Sequence, residues 1–167
     1  MPETPARYSI GAHGFAASRL VAGLYIVATP IGNLGDMTIR ALATLAAADA
    51  ILCEDTRVTP KLLERYGIRN QLISYHEHNA AKLQDGLLER LTAGEALALV
   101  SDAGMPLISD PGQRLVAACV AADIAVTAVP GASSVLSALA LSGLPSEPFT
   151  FMGFLPSKAG ERKRLLE

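Results

Sequence analysis

The chain has 167 residues, half of them hydrophobic and 18% charged, with a formal net charge of −2. That length supports one well-buried domain, and so apolar a composition suits a sheet covered on both faces and excludes a largely disordered chain. The slight acidity removes any broad electrostatic reason to hold nucleic acid, so such a partner requires a local basic patch.

Residues 1–23 carry Pro2, Pro5, Gly11, Gly14 and Gly23 with charges at Glu3, Arg7 and Arg19, and no continuous apolar stretch. They read as a flexible leader, not a signal peptide. Short β-like runs then alternate with helical stripes, the pattern of an α/β fold with a parallel sheet. Strands are predicted at 24–29, 50–54, 71–75, 96–101 and 125–129. Helical stripes fall at Ile39, Leu42, Leu45 and Ala46, at Leu83, Leu87, Leu88 and Leu91, and at Leu115, Val116, Cys119 and Val120. Thr59 and Pro60 predict an N-cap followed by a first-turn proline, and Gly67, Gly94 and Gly143 predict helix stops. Asp110 and Pro111 predict a second capped helix start. A further helix is expected over 133–142 with Val135, Leu136 and Leu139 inward.

Beyond it, Pro145 and Pro148 mark a linker, 149–156 reads as a new strand, and 157–167 as the start of a charged helix. The expected organisation is a leader over 1–23, an α/β domain over 24–146, and over 147–167 a linker with the truncated start of a second domain. The apolar stretch from Leu115 to Leu144 is divided by Asp123, Pro130 and Gly131 into pieces too short to span a bilayer, so no membrane role is expected. Cys53 and Cys119 lack the spacing of a zinc knuckle or a redox pair and read as buried thiols in a reducing, cytoplasmic setting.

In parallel sheets ligands sit beyond the carboxyl ends of the strands, and the loops there are rich in chemistry. After the first strand, 29–36 holds Pro30, Gly32 and Gly35, which is not a dinucleotide fingerprint because proline stands where its first glycine belongs. Glu54 and Asp55, about twenty residues on, occupy the place of a ribose-binding carboxylate and keep a nicotinamide-dependent dehydrogenase as an alternative. Glu54, Asp55 and Arg57 equally suit a local ion pair. His76, Glu77 and His78 offer too few donors for a metal and read as a polar loop. The loop 101–112 contains two each of glycine, proline, aspartate and serine, which specify a fixed backbone path that a flat ligand could approach closely. Lys158, Arg162, Lys163 and Arg164 suit a solvated helix face or contacts to phosphates.

The strings Ile26-Val27-Ala28-Thr29-Pro30-Ile31-Gly32-Asn33-Leu34-Gly35-Asp36, Cys53-Glu54-Asp55-Thr56-Arg57, Ser74-Tyr75-His76-Glu77-His78-Asn79, 100–112, 129–134 and Gly153-Phe154-Leu155-Pro156 resemble, in order, the tetrapyrrole methylase superfamily. Within it they are most similar to the branch that methylates the 2′-hydroxyl of a cytidine in 16S ribosomal RNA. Met105 departs from the threonine expected in that branch.

The resemblance implies a first domain with a five-stranded parallel sheet flanked by helices, a smaller mixed α/β second domain, and a homodimer. It implies S-adenosylmethionine bound between the domains by Pro30, Ala103, Gly104, Met105, Ile108, Ser133 and Ser134. The partner it implies is 16S rRNA within the small ribosomal subunit. Because a sulfonium methyl is already activated, alignment of the attacking hydroxyl, worth about 7 to 11 kcal/mol in favourable cases, matters more than strong acid–base help. Asp55 or Asp102 is the candidate proton acceptor, and Arg57 the candidate for holding a phosphate or the carboxylates. The alternatives are a precorrin or uroporphyrinogen C-methyltransferase, the dehydrogenase, and a non-catalytic nucleotide-binding module.

Overall fold

The structure, a computed structural model, describes residues 5–167. Its strands are β1 (Arg7–Ile10), β2 (His13–Ala16), β3 (Gly23–Val27), β4 (Ala50–Cys53), β5 (Leu72–Ser74), β6 (Ala96–Val100) and β7 (Val126–Val129). The helices are α1 (Ile39–Ala47), α2 (Thr59–Arg65), α3 (Glu77–Thr92), α4 (Gln113–Ala121), α5 (Ser134–Leu141) and α6 (Ala159–Leu166), with a 3-10 turn at Leu34–Asp36. Strands β3 to β7 form one parallel sheet in the order β5-β4-β6-β3-β7. All five overlap the runs expected from the sequence, β4 to β7 lying inside theirs and β3 starting one residue earlier and ending two residues sooner.

Every residue of β4 and β6 is buried, as central strands covered on both faces require. Side chains alternate between two cores. On one face Val27, Ile51, Cys53, Ala98 and Val100 meet Leu42 and Leu45 of α1 and Leu62 and Leu63 of α2. On the other, Leu24, Leu52, Leu97 and Leu99 meet Leu87 and Leu91 of α3 and Leu115 and Cys119 of α4. The stripes therefore turn toward the core the residues their periodicity indicates, with Leu83, Leu88 and Val116 partly buried and Ile39 and Val120 exposed.

Several expectations are corrected. Residues 7–16 do not form a flexible leader but an antiparallel hairpin, with Ile10 opposite His13 across the turn Gly11-Ala12. Gly11, at φ +60°, supplies the backbone that two-residue hairpin turns need. Tyr8 is buried against the first core and stacks on Phe15 at 5.4 Å, and Ser9 N donates to Tyr66 O at 2.7 Å. Helix α2 starts one residue early, with Val58 and not Thr59 at its N-cap, and Pro60 still falls in the first turn. Gly112 rather than Asp110 caps α4. Residues 76–78 are not a free loop but lead into α3, where Asn79 Oδ1 accepts from His76 N at 2.9 Å.

The chain divides into a unit ending at Ser133 and a second unit, Ser134–Glu167, rather than at 146/147. In the second unit α5 buries none of its residues, and Leu136 is 57% exposed instead of inward. Residues 149–156 form no strand, since no described segment offers them a ladder to join.

Tyr8→Ala should remove about 1.5 to 3 kcal/mol of burial energy and loosen the hairpin first. Hydrogen exchange is expected to accelerate at residues 7–17 well before it does in β3, β4 and β6.

Candidate functional site

The order of the sheet defines the site before any side chain does. From β3 the chain crosses through α1 to β4 on one side of β6, whereas from β6 it crosses through α4 to β7 on the other side of β3. The two loops leave adjacent strands toward opposite faces, which opens a crevice at their carboxyl ends, the position where open α/β sheets bind ligands.

Backbone bonds hold that crevice. Thr29 N donates to Gly104 O at 2.9 Å, and Gly104 N donates to Thr29 O at 3.1 Å. Thr29 Oγ1 donates to Ser101 O at 3.0 Å, and Ser101 Oγ reaches Gly104 O at 3.2 Å. Gly104 adopts φ +81°, and a Cβ there would stand 3.4 Å from Ile31 Cγ2 and 3.9 Å from Ala132 O. Of the three non-glycine residues with positive φ among the described residues, Leu107 (71°) and Ser109 (67°) lie in this same loop. Such conformations persist only where surrounding contacts over-determine them.

A cavity of about 320 Å³ opens beside the bridge, lined by Thr29, Pro30, Gly32, Leu34, Val58, Thr59, Lys61, Leu62, Ser101, Asp102 and Ala103. It reaches the lower end of the size range of small-molecule sites. Of the residues expected at a cofactor, Pro30 and Ala103 are in the wall and Gly104 stands behind it in the bridge. Met105 is half-buried against the second core, so the departure from threonine substitutes core packing for a hydroxyl. Ile108 is 50% exposed and outside the cavity wall. Ser133 closes the first unit, and Ser134 begins α5 in the second. Val58, Thr59, Lys61 and Leu62 are not site candidates in the sequence, where Thr59 reads only as the cap of a helix start. Its place in the wall follows from β4 lying next to β6.

Asp55 and Arg57 form a two-pronged ion pair outside that wall, Nε to Oδ1 at 2.9 Å and Nη2 to Oδ2 at 2.7 Å, with Arg57 N on Oδ1 at 2.8 Å. These bonds from Arg57 hold the Asp55 carboxyl down at about 2. It is therefore a weak base at neutral pH. Glu54 shifts the other way, raised by partial desolvation and then by Asp102 and Asp110, with His76 opposing. Asp110 is also raised, mainly by burial, against the Ser101 hydroxyl and with the help of Asp102. Burial pushes the Cys53 thiol up, and Thr59 partly offsets it. The rim beside the cavity is thus a field of crowded carboxylates. The basic residues of α6 are partly engaged, Lys158 with Glu161 at 3.4 Å and Lys163 with Glu167 at 3.6 Å.

A parallel sheet with its crevice between β3 and β6, closed by a glycine-bearing loop from each strand, is the architecture of a class of methylases. Residues 23–167 match the model of the Tetrapyrrole (Corrin/Porphyrin) Methylases, and the chain belongs to that family. It is 54% identical over 158 residues to "Ribosomal RNA small subunit methyltransferase I" of Mesorhizobium japonicum, covering 95% of this chain and 54% of that protein. The proteins of the same name from Halalkalibacterium halodurans and Synechocystis sp. are 53% and 55% identical over 144 residues, 86% of this chain and 50% and 52% of theirs. The chain spans about half the length of these curated relatives. Among solved structures, a uroporphyrin-III-C-methyltransferase from Thermus thermophilus superposes with a TM-score of 0.56 at 26% identity, over 74% of this chain and 53% of that one. Cobalt precorrin-4 methyltransferase shares the fold, with a TM-score of 0.52 at 20% identity over 70% of this chain and 48% of its own.

Arg57→Ala should return the Asp55 carboxyl from about 2 toward 3.8, read by carbon-detected NMR titration. The sign follows from linkage: a depressed carboxyl favours the folded state above its unfolded pKa, and that contribution disappears as pH falls toward 2. The variant should accordingly lose less stability than the parent between pH 4 and pH 2.

Proposed function

We propose that this protein transfers a methyl group from S-adenosylmethionine to the 2′-hydroxyl of a cytidine in 16S ribosomal RNA. The observation that carries the reading is identity of 53 to 55% with relatives named as small-subunit rRNA methyltransferases, across the segment that builds the crevice. Bound there, S-adenosylmethionine supplies a methyl group already activated on a cationic sulfur. The residues present suit it: the cavity wall is largely apolar, and the rim carboxylates Glu54, Asp102 and Asp110 provide a negative field for a cation.

In this reading Pro30, Ala103 and Gly104 shape the donor wall, with Met105, Ile108, Ser133 and Ser134 as further donor contacts. Their work is alignment, since the attacking hydroxyl must lie in line with the bond that breaks. Asp102 sits in the cavity wall and is the better candidate to take the hydroxyl proton. Asp55 is held at low basicity by Arg57 and serves with it to brace the loop after β4. We also place the protein in the cytoplasm as a homodimer acting on the small ribosomal subunit.

The dehydrogenase alternative fits less well. Pro30 is buried where a pyrophosphate would need an open glycine turn, and α1 begins only after a 3-10 turn. Its first turn is already capped by Thr38, whose Oγ1 accepts from Ala41 N at 3.1 Å. A phosphate would have to displace that bond.

Calorimetry of the full-length protein should detect S-adenosylmethionine and no nicotinamide dinucleotide, and the protein should methylate small subunits that lack the modification. Absence of S-adenosylmethionine binding overturns the reading, and methylation of uroporphyrinogen in place of RNA would move the chain beside the Thermus enzyme. Asp102→Asn should lower kcat by about a hundredfold or more, a far larger effect than the loss of donor affinity from removing one of the three rim carboxylates. An unchanged kcat would remove Asp102 from proton transfer.

A further inference from the structure

An acidic chain that acts on RNA needs a place where positive charge gathers, and the structure contains one at the end of the sheet opposite the crevice. A groove of about 800 Å³ runs between the hairpin, the end of α1 and the segment after α2. Arg7, Arg19 and Arg69 line it, and all three are exposed. Among the described residues none of the three has a carboxylate within ion-pairing distance.

The acceptors around the groove are engaged with other donors, the carboxylate through one of its oxygens. Asp49, its single carboxylate, takes the amide of Ala96 at 2.7 Å. The carbonyl end of α1 would repel an anion through its partial negative charge. Yet Asn70 Nδ2 donates to Leu45 O at 2.8 Å and to Ala48 O at 2.7 Å, which closes that end. At the end of α2, Tyr66 O accepts from Ser9 N. Among the described residues the guanidiniums are left without an ion-pair partner, Arg7 on the hairpin that Tyr8 anchors to the core, Arg19 just after it and Arg69 after α2.

We propose that this groove binds the phosphate backbone of the RNA substrate, away from the nucleotide being methylated. The inference rests on the reading of the substrate as ribosomal RNA. Arginine suits the task because its planar fork pairs with phosphate oxygens two at a time. The groove lies at the amino ends of the strands and the crevice at their carboxyl ends, so a strand length of four or five residues, about 13 to 17 Å, separates them. RNA held at both ends would lie along the side of the domain. Arg7 and Arg19 precede residue 23, where the match to the family begins, so two of the three charges lie outside the segment shared with the tetrapyrrole methylases.

The test uses the full-length protein with small-subunit RNA and compares R7Q/R19Q/R69Q with R7K/R19K/R69K. The glutamine variant should bind RNA at least tenfold more weakly, and the slope of log affinity against log salt should flatten by about 2, the value for three lost phosphate contacts on single strands. KM for RNA should rise with little change in kcat, and affinity for S-adenosylmethionine should be unaffected, which also verifies folding. The lysine variant should keep most of the salt slope. If the parent methylates RNA and the glutamine variant retains its affinity and slope, the groove is not an RNA contact, while the functional reading stands. A flattened slope in both variants equally would assign the loss to the hairpin's fold and overturn the role of charge. If the parent neither binds nor methylates RNA, both the groove and the reading on which it rests fall.

Discussion

Two backbone hydrogen bonds between Thr29 and Gly104 lie where β3 and β6 stop being neighbours in a sheet and become the walls of a cleft. Beyond Val27 and Val100 the strand ladder ends. The chain then needs one further crosslink to keep two loops that diverge toward opposite faces from splaying. A backbone pair at a glycine with φ +81° supplies it while leaving the space free. The Thr29 hydroxyl extends the crosslink to Ser101. Pro30, Asp102 and Ala103 are positioned by this pair, since each is bonded directly to a residue that it or Ser101 holds.

The carboxylates at the rim divide by environment into two kinds. Asp55 has an arginine two residues away and is held strongly acidic. Glu54 and Asp110 are pushed toward the neutral form, first by burial and then by the carboxylates beside them. The division pairs one carboxylate of the loop after β4 and leaves unpaired negative charge next to the cavity. With unpaired positive charge in the groove at the opposite end, the first unit carries a charge separation that the small net charge of the whole chain, −2, conceals.

Much of this was legible in the sequence because burial on two faces leaves strong traces. The runs Ala-Ile-Leu-Cys and Ala-Leu-Ala-Leu-Val can only be central strands in so regular an alternation, and the loops after them announce the rim. The hairpin was hidden because its Gly11, Gly14 and Pro5 suggest disorder, while its one deeply buried side chain, Tyr8, has no periodic companion. Helix starts were displaced by a residue or two since proline tolerates several first-turn positions. The pairing of 149–156 is not a local property, and alternating Phe149 and Phe151 promise a strand only where a partner exists. Cavity residues on α2 were missed because strand order, unlike periodicity, is not written in any one segment.

The Thr29–Gly104 bridge also has a timetable. Its partners are 75 residues apart in the chain. At a synthesis rate of roughly 5 to 20 residues per second, Thr29 waits about 4 to 15 s before Gly104 is made. During that time β3 also lacks both of its sheet neighbours, since β6 and β7 follow β4 and β5 in the chain. The cleft therefore closes only after β6 has been made, and a strand as apolar as Leu-Tyr-Ile-Val must remain shielded until its neighbours arrive.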